Sequence, residues 1–306
     1  MSNTYSKTRG IKIENFQYLK ALYELMKPRV MSLSIFTCVA GLLIAPIQID
    51  HLSAIISILA VALGSGAAGA LNCWYESDVD SLMSRTCLRP IPTGRLTRRE
   101  ALIFGTISSF ISIGVLYFFS NIVAASLLAL TISFYVFVYT IWLKRKTPQN
   151  IVIGGAAGAL PPVIGWTIAT GQISIEPIIL FLIIFFWTPS HFWALSLYKA
   201  GDYKRAKIPM LPITSGIQKT KLNIFIYSLL MTPFVLAPYF INLASLFYIS
   251  VALTMTIYYV FLCYILFKEK NSKDTNIIAR KIFLYSIFYL FAIFLVLLID
   301  NLFRII

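Results

Sequence analysis

The sequence predicts an all-α protein that crosses a membrane nine times around a central cavity. Three observations carry that expectation: 58% of the 306 residues are hydrophobic and only 12% charged, the charges gather between long uncharged runs, and the basic residues fall almost entirely on one side once those runs are read as spans. A chain this apolar has too little polar surface to cover a water-soluble core. A helix of about 20 apolar residues, by contrast, crosses the hydrocarbon with its backbone groups satisfied internally.

The first uncharged run, 30–49, follows Lys7, Arg9, Lys12, Lys20, Lys27 and Arg29. These mark 1–29 as a cytoplasmic N-terminal segment, with no apolar stretch ahead of it that reads as a cleaved signal peptide. The second run is 52–75. The third, 101–143, is about twice one span and breaks naturally at Ser120-Asn121. Runs 151–175 and 177–198 give the fifth and sixth helices. Run 222–267 is again double, with a break between Pro238 and Asn242, and run 282–299 completes nine.

Lysine and arginine in short loops stay on the cytoplasmic side. With nine spans, all 26 basic residues except Arg304 share the side of the N-terminus. This segregation accounts for the net charge of +14 and leaves no reason to invoke nucleic acid. Cys38, Cys73, Cys87 and Cys263 show no C-x-x-C spacing and read as packing residues.

One membrane-embedded domain over 1–306 is the simplest organisation, because no Gly/Ser/Pro linker divides the chain. Two cytoplasmic loops stand out, 76–100 and 199–221, each following a helix with a polar end. Four helices separate them, so they occupy equivalent places in two four-helix units, which suggests halves facing across the cavity. Gly154, Gly155, Gly158, Pro161 and Pro162 in helix 5 and Pro189 in helix 6 fall where irregular backbone would line such a cavity. Close packing through small residues explains the glycines equally well.

The first loop carries the chemistry. Only 12 carboxylates exist in the chain, yet Glu76, Asp78 and Asp80 sit together after apolar sequence. On a continuing helix Asn72, Glu76 and Asp80 share one face, about 6 Å apart along the axis, while Asp78 points the other way. Such a row suits a hard divalent cation, and Mg²⁺ uses one or two carboxylates with substrate phosphates supplying further oxygens. Arg85, Arg89 and Arg95 follow, shaped for bidentate phosphate contact. Acids and arginines at the mouth of an apolar cavity call for a ligand that is lipid at one end and phosphorylated at the other, such as a polyprenyl diphosphate. A solvated loop whose charges neutralise one another at the headgroups is the alternative.

The second loop offers Asp202, Lys204 and Arg205, and Asp202 could help hold metal. His191 lies within an apolar span among aromatics, where an ionisable group is often functional; a neutral imidazole satisfied by a carbonyl is the alternative.

The segment Asn72-Cys-Trp-Tyr-Glu-Ser-Asp-Val-Asp80, followed by Arg85-Thr86 and Arg89-Pro90, resembles the first acidic motif of the UbiA prenyltransferase superfamily. Tyr139 through Ala159 with Lys144-Arg145, together with Pro189-Ser-His-Phe-Trp193 and Ile208-Pro-Met-Leu-Pro212, looks like its heme-farnesylating branch. The resemblance implies a nine-helix fold around a cavity, Mg²⁺ dependence, and farnesyl transfer from farnesyl diphosphate to a vinyl group of protoheme IX. In that reading Asn72, Glu76, Asp78 and Asp80 are catalytic. Glu76, Asp80 and Asp202 hold metal, and Arg85, Arg89, Lys144 and Lys204 bind diphosphate. Tyr139 and Trp193 stabilise an allylic cation, and His191 positions heme, since imidazole suits iron.

Two departures matter. Cys73 stands where many members carry aspartate, and Asp202 lacks a second acid four residues away. The absence of a long Arg- and Ser-rich N-terminal extension argues for a bacterial inner membrane over the mitochondrial one, and the resemblance suggests heme A synthase or a terminal oxidase as partners. A UbiA-type enzyme acting on an aromatic or quinone precursor is the competing enzyme, and a transporter the competing class.

Overall fold

The computed structural model describes residues 15–305, with side chains placed through 303. Lys7, Arg9 and Lys12, and the side chain of Arg304, lie outside the described residues. Those described form helices and turns with no strand among them.

The helices run α1 (Asn15–Leu25), α2 (Pro28–Ile44), α3 (His51–Tyr75), α4 (Ser77–Leu82), α5 (Arg98–Phe119), α6 (Ile122–Leu143), α7 (Asn150–Ala159), α8 (Pro161–Thr170), α9 (Ile175–Tyr198), α10 (Ala200–Arg205), α11 (Leu211–Thr214), α12 (Ile217–Phe240), α13 (Leu246–Lys268) and α14 (Ser272–Ile305). Among the described residues eight helices, counting α7 with α8 as one, are long and apolar enough to cross a membrane. A ninth span is completed when α1 and α2, bent by 55°, are taken together. Within the N-terminal segment, residues 15–25 are therefore helical rather than extended loop. Its bend falls at Lys27, whose backbone is left-handed at φ 57, ψ 54. The following Pro28 explains this in part, because it disfavours right-handed helix at the preceding residue while starting the next helix well.

Sequence punctuation decides most other ends. Asn121 caps α6 by accepting from the Ala124 amide at 2.9 Å, which places the break in the first long apolar run where Ser120-Asn121 predicts it. Thr97 and Glu100 form a reciprocal capping box that starts α5. The second long run also breaks in the expected Pro238–Asn242 window: α12 runs through Pro233 and Pro238 and stops at Phe240, with Asn242 at positive φ in the turn. Helix 5 is divided at Leu160, where Pro161 and Pro162 open α8, whereas Pro189 sits inside an unbroken α9.

Packing assembles these spans into a closed bundle: α3 against α5, α2 against α8, α9 against α12 and α14, and α14 back onto α2. The α2–α8 approach is close enough that only glycine fits. A Cβ on Gly165 would lie 1.9 Å from the Cys38 carbonyl oxygen, and one on Gly41 2.2 Å from that of Pro162. Small residues let helix backbones meet where lipid provides no hydrophobic drive between them. Large apolar side chains such as Phe110 and Phe118 point outward, 72% and 81% exposed, as a lipid-facing surface requires.

Candidate functional site

The polar cluster forms where α3 ends. Although Glu76 interrupts the helix between α3 and α4, the Glu76 amide still donates to Asn72 O at 2.9 Å and the Asp80 amide to Glu76 O at 2.8 Å. The four-residue spacing therefore survives the break, and Asn72, Glu76 and Asp80 are all buried, 1–3% exposed. Asn72 Nδ2 donates to Glu76 Oε2 at 2.9 Å and to Thr140 Oγ1 at 3.0 Å.

Thr140 reaches that position from the π-helical stretch Phe134–Leu143 of α6. Its hydroxyl donates five residues back, to Tyr135 O, at 2.8 Å. The wider turn fits one more residue into the helix than α geometry allows, a device common at functional sites. It also sets Lys144, whose Nζ meets Glu76 Oε2 at 2.5 Å. Burial disfavours the lysine's charge, but the adjoining carboxylate outweighs it and raises the pKa above that of an ordinary lysine.

Each remaining acid has its own cation. Arg89 Nη1 lies 2.8 Å from both Asp80 oxygens. Asp202 accepts from Arg205 and, at 2.7 Å, from the Ser84 hydroxyl. The Ser84 bond, with help from Arg205 and against the effect of burial, holds the Asp202 carboxyl below the usual range. It also latches the loop after α4 to the loop after α9. Asp78 is different. Its side chain is 61% exposed and paired with Arg145 on the outside, where the guanidinium hydrogen bonds lower its pKa and Arg145 also covers the Tyr75 ring at 5.1 Å. Asp78 thus lies outside the buried cluster, and its pairing with Arg145 pins the end of α6.

Among the described residues no three His, Cys, Asp or Glu side chains gather into a protein-only metal cage, so a metal at Glu76, Asp80 and Asp202 needs further oxygens from a ligand. Trp193 is 1% exposed within the core, its ring edge-on to Tyr227 at 5.3 Å. Packed there, it offers no open face to an allylic cation. Tyr139 is better placed, half-buried, with Lys144 Nζ 5.6 Å from its ring and Gly154 directly beneath it. Arg85 and Lys204 are exposed and make no side-chain hydrogen bond or ion pair among the described residues. His191 is 8% exposed in α9, its Nδ1 2.6 Å from Ser286 Oγ. All four cysteines are free, three of them buried.

Sequence reasoning missed Lys27, Thr140, Ser84 and Arg145. Lys27 is the most consequential, since its Nζ contacts Asn72 Oδ1 at 2.5 Å, joining the cluster from the strained α1–α2 junction. Its position between Met26 and Pro28, against an apolar run, is the signal available. Counting it among the orienting charges hides that signal.

The cluster thus has one outstanding polar atom. Glu76 Oε1 is buried without a hydrogen-bond partner, while Oε2 takes two donors. A buried carboxylate oxygen left unpaired is costly, and this one suits a hard cation.

Residues 34–298 match the UbiA prenyltransferase family. A protein of Pelagibacter ubique (strain HTCC1062) named protoheme IX farnesyltransferase is 61% identical over 301 residues, covering 98% of this chain and 99% of its own length. A solved structure concerned with digeranylgeranylglyceryl phosphate synthase superposes with a TM-score of 0.77 at 18% identity, covering 93% of this chain and 98% of the other. A UbiA homolog from Archaeoglobus fulgidus bound to DMAPP and Mg²⁺ gives 0.63 at 16% identity, covering 90% and 99%. At such identities the two structures speak for the fold.

Proposed function

The chain belongs to the UbiA prenyltransferase family, and within it we propose that it transfers the farnesyl group of farnesyl diphosphate to a vinyl group of protoheme IX, giving heme O and diphosphate. The observation that carries the chemistry is the buried Asn72–Glu76–Lys144 cluster with Glu76 Oε1 unpartnered. The donor set fits Mg²⁺, with Glu76 and Asp80 to hold it and the substrate's phosphate oxygens to complete it, because the protein alone offers too few ligands. Bound there, the cation would stabilise the diphosphate as it leaves.

Arg85 and Lys204, which make no side-chain hydrogen bond or ion pair among the described residues, bind the diphosphate, and Asp202 helps hold the metal from the second loop. Arg89 and Lys144, which already neutralise acids of the cluster, place positive charge where negative charge develops. Asn72, held by Lys27 and Thr140, orients phosphate oxygens or water. The C1–O bond of the farnesyl diphosphate breaks and C1 bonds to the terminal vinyl carbon. The cation left on the inner vinyl carbon takes the oxygen of water, which releases a proton. The Tyr139 ring steadies the allylic cation, and the apolar bundle limits premature quenching by water. His191 positions the heme.

The acids gather at one end of the bundle rather than near the bilayer midplane, which disfavours the transporter reading. The clustering of lysine and arginine on one side supports a cytoplasmic position for them and for the N-terminus in a bacterial inner membrane. Heme A synthase or a terminal oxidase would receive the product.

Expression in membranes of a host lacking its own heme-modifying enzyme, followed by mass spectrometry of extracted hemes, tests the reading. A heme heavier by the farnesyl group and one hydroxyl is expected. Unchanged protoheme, with intact protein and farnesyl diphosphate present, would direct attention to an aromatic or quinone acceptor.

A further inference from the structure

We infer that Ser286 fixes His191 as the Nδ1–H tautomer, and that His191 thereby presents an unprotonated Nε2 as an axial ligand to the iron of a metalloporphyrin. This rests on protoheme being the acceptor.

The argument begins with one proton. Ser286 Oγ donates to the Phe283 carbonyl at 2.7 Å, one turn earlier in α14. A hydroxyl has a single hydrogen to give, so at 2.6 Å from His191 Nδ1 the serine can only accept. Nδ1 therefore carries the imidazole proton and the Nε2 lone pair is left free. Nε2 has no hydrogen-bond partner among the described residues, and it is absent from the polar atoms that are both fully buried and unsatisfied, so it retains access.

The ring is also immobilised with both faces covered. Trp187 stacks on it with centroids 4.3 Å apart and 17° between planes, and Phe283 at 4.7 Å and 26°, while Phe192 stands edge-on at 5.1 Å. Trp187 Nε1 in turn donates to the Ser286 carbonyl at 2.9 Å, locking α9 to α14 at the same level. Only the ring edge remains open, and a lone pair there lies in the ring plane, the direction from which imidazole coordinates a metal. A hydrogen bond on the other ring nitrogen is the usual means of setting tautomer and basicity in metal-binding histidines. An imidazole kept inside a membrane span with an unused lone pair has no packing rationale, since a phenylalanine would stack equally well.

The test uses the full chain in detergent micelles, reduced and titrated with protoheme, read by absorption and resonance Raman spectroscopy. An iron–histidine stretch that shifts on ¹⁵N-histidine labelling is expected from the unaltered protein. The chain holds only two histidines, and His51 lies exposed at the opposite start of α3, so His51→Ala should keep the signature. His191→Gly should lose it and recover a nitrogen-ligated spectrum on addition of imidazole. Ser286→Ala should weaken heme affinity about tenfold, and Ser286→Thr should restore it. Heme that binds and is farnesylated without a labelled shift would overturn the inference and leave the proposed function standing. Protein that neither binds nor modifies protoheme would overturn both.

Discussion

Replacing Lys144 by methionine removes the ammonium from Glu76 while retaining an apolar stem of similar length. The carboxylate is 1% exposed, and its other contact is the neutral amide of Asn72. Removing one partner of a buried ion pair typically costs about 3–5 kcal/mol, because the survivor stays desolvated and charged. Since Lys144 keeps 17% side-chain exposure, water can partly replace it, so the lower end, about 3 kcal/mol, applies. Adding Glu76→Gln removes the stranded charge, and the double variant should lose only about 1 kcal/mol. Unfolding by denaturing detergent in mixed micelles, followed by tryptophan fluorescence, measures both variants, and the double variant should be about 2 kcal/mol more stable than the single. Heme farnesylation should be abolished in the single and double variants alike. A single variant within 1 kcal/mol of the parent, or a double variant as damaged as the single, would refute a buried, mutually dependent pair.

Arg85→Ala should leave stability within about 0.5 kcal/mol, because Arg85 is exposed and makes no side-chain hydrogen bond or ion pair among the described residues, yet raise the KM for farnesyl diphosphate severalfold in steady-state assays. Arg89→Ala, which strands Asp80, should lose stability as well as activity in the same assays. Gly154→Ala places a methyl 2.2 Å from Tyr139 Cδ2, so the ring must move, costing about 1–3 kcal/mol of stability and lowering kcat more than it changes KM. The Ser84–Asp202 latch should resist acid. Because the folded carboxyl titrates below its ordinary 3.8, its contribution is fully present above that value and disappears only as pH falls through the depressed folded pKa. Hydrogen exchange of residues 199–206 should show protection unchanged from pH 8 to 5, and Ser84→Ala should lose part of it throughout.

Much of this protein is legible without coordinates. Hydropathy and the segregation of lysine and arginine determine the spans, because no chain can place unpaired backbone or unpaired charge in hydrocarbon at low cost. The cap at Asn121 and the paired prolines of helix 5 announce themselves for equally local reasons. The four-residue spacing of Asn72, Glu76 and Asp80 is likewise a property of helical geometry alone, and it holds even across the break at Glu76. What sequence could not decide is which partner each charge takes. Lys27, counted only as an orienting charge, turns inward to Asn72; Asp78 turns outward to Arg145; Asp202 is bound to Ser84, 118 residues away. Trp193 is core, and the protonated nitrogen of His191 depends on a serine in α14. These are contacts between segments distant in sequence. Their energies depend on distance and burial that only the packed bundle sets, so composition and periodicity carry no record of them.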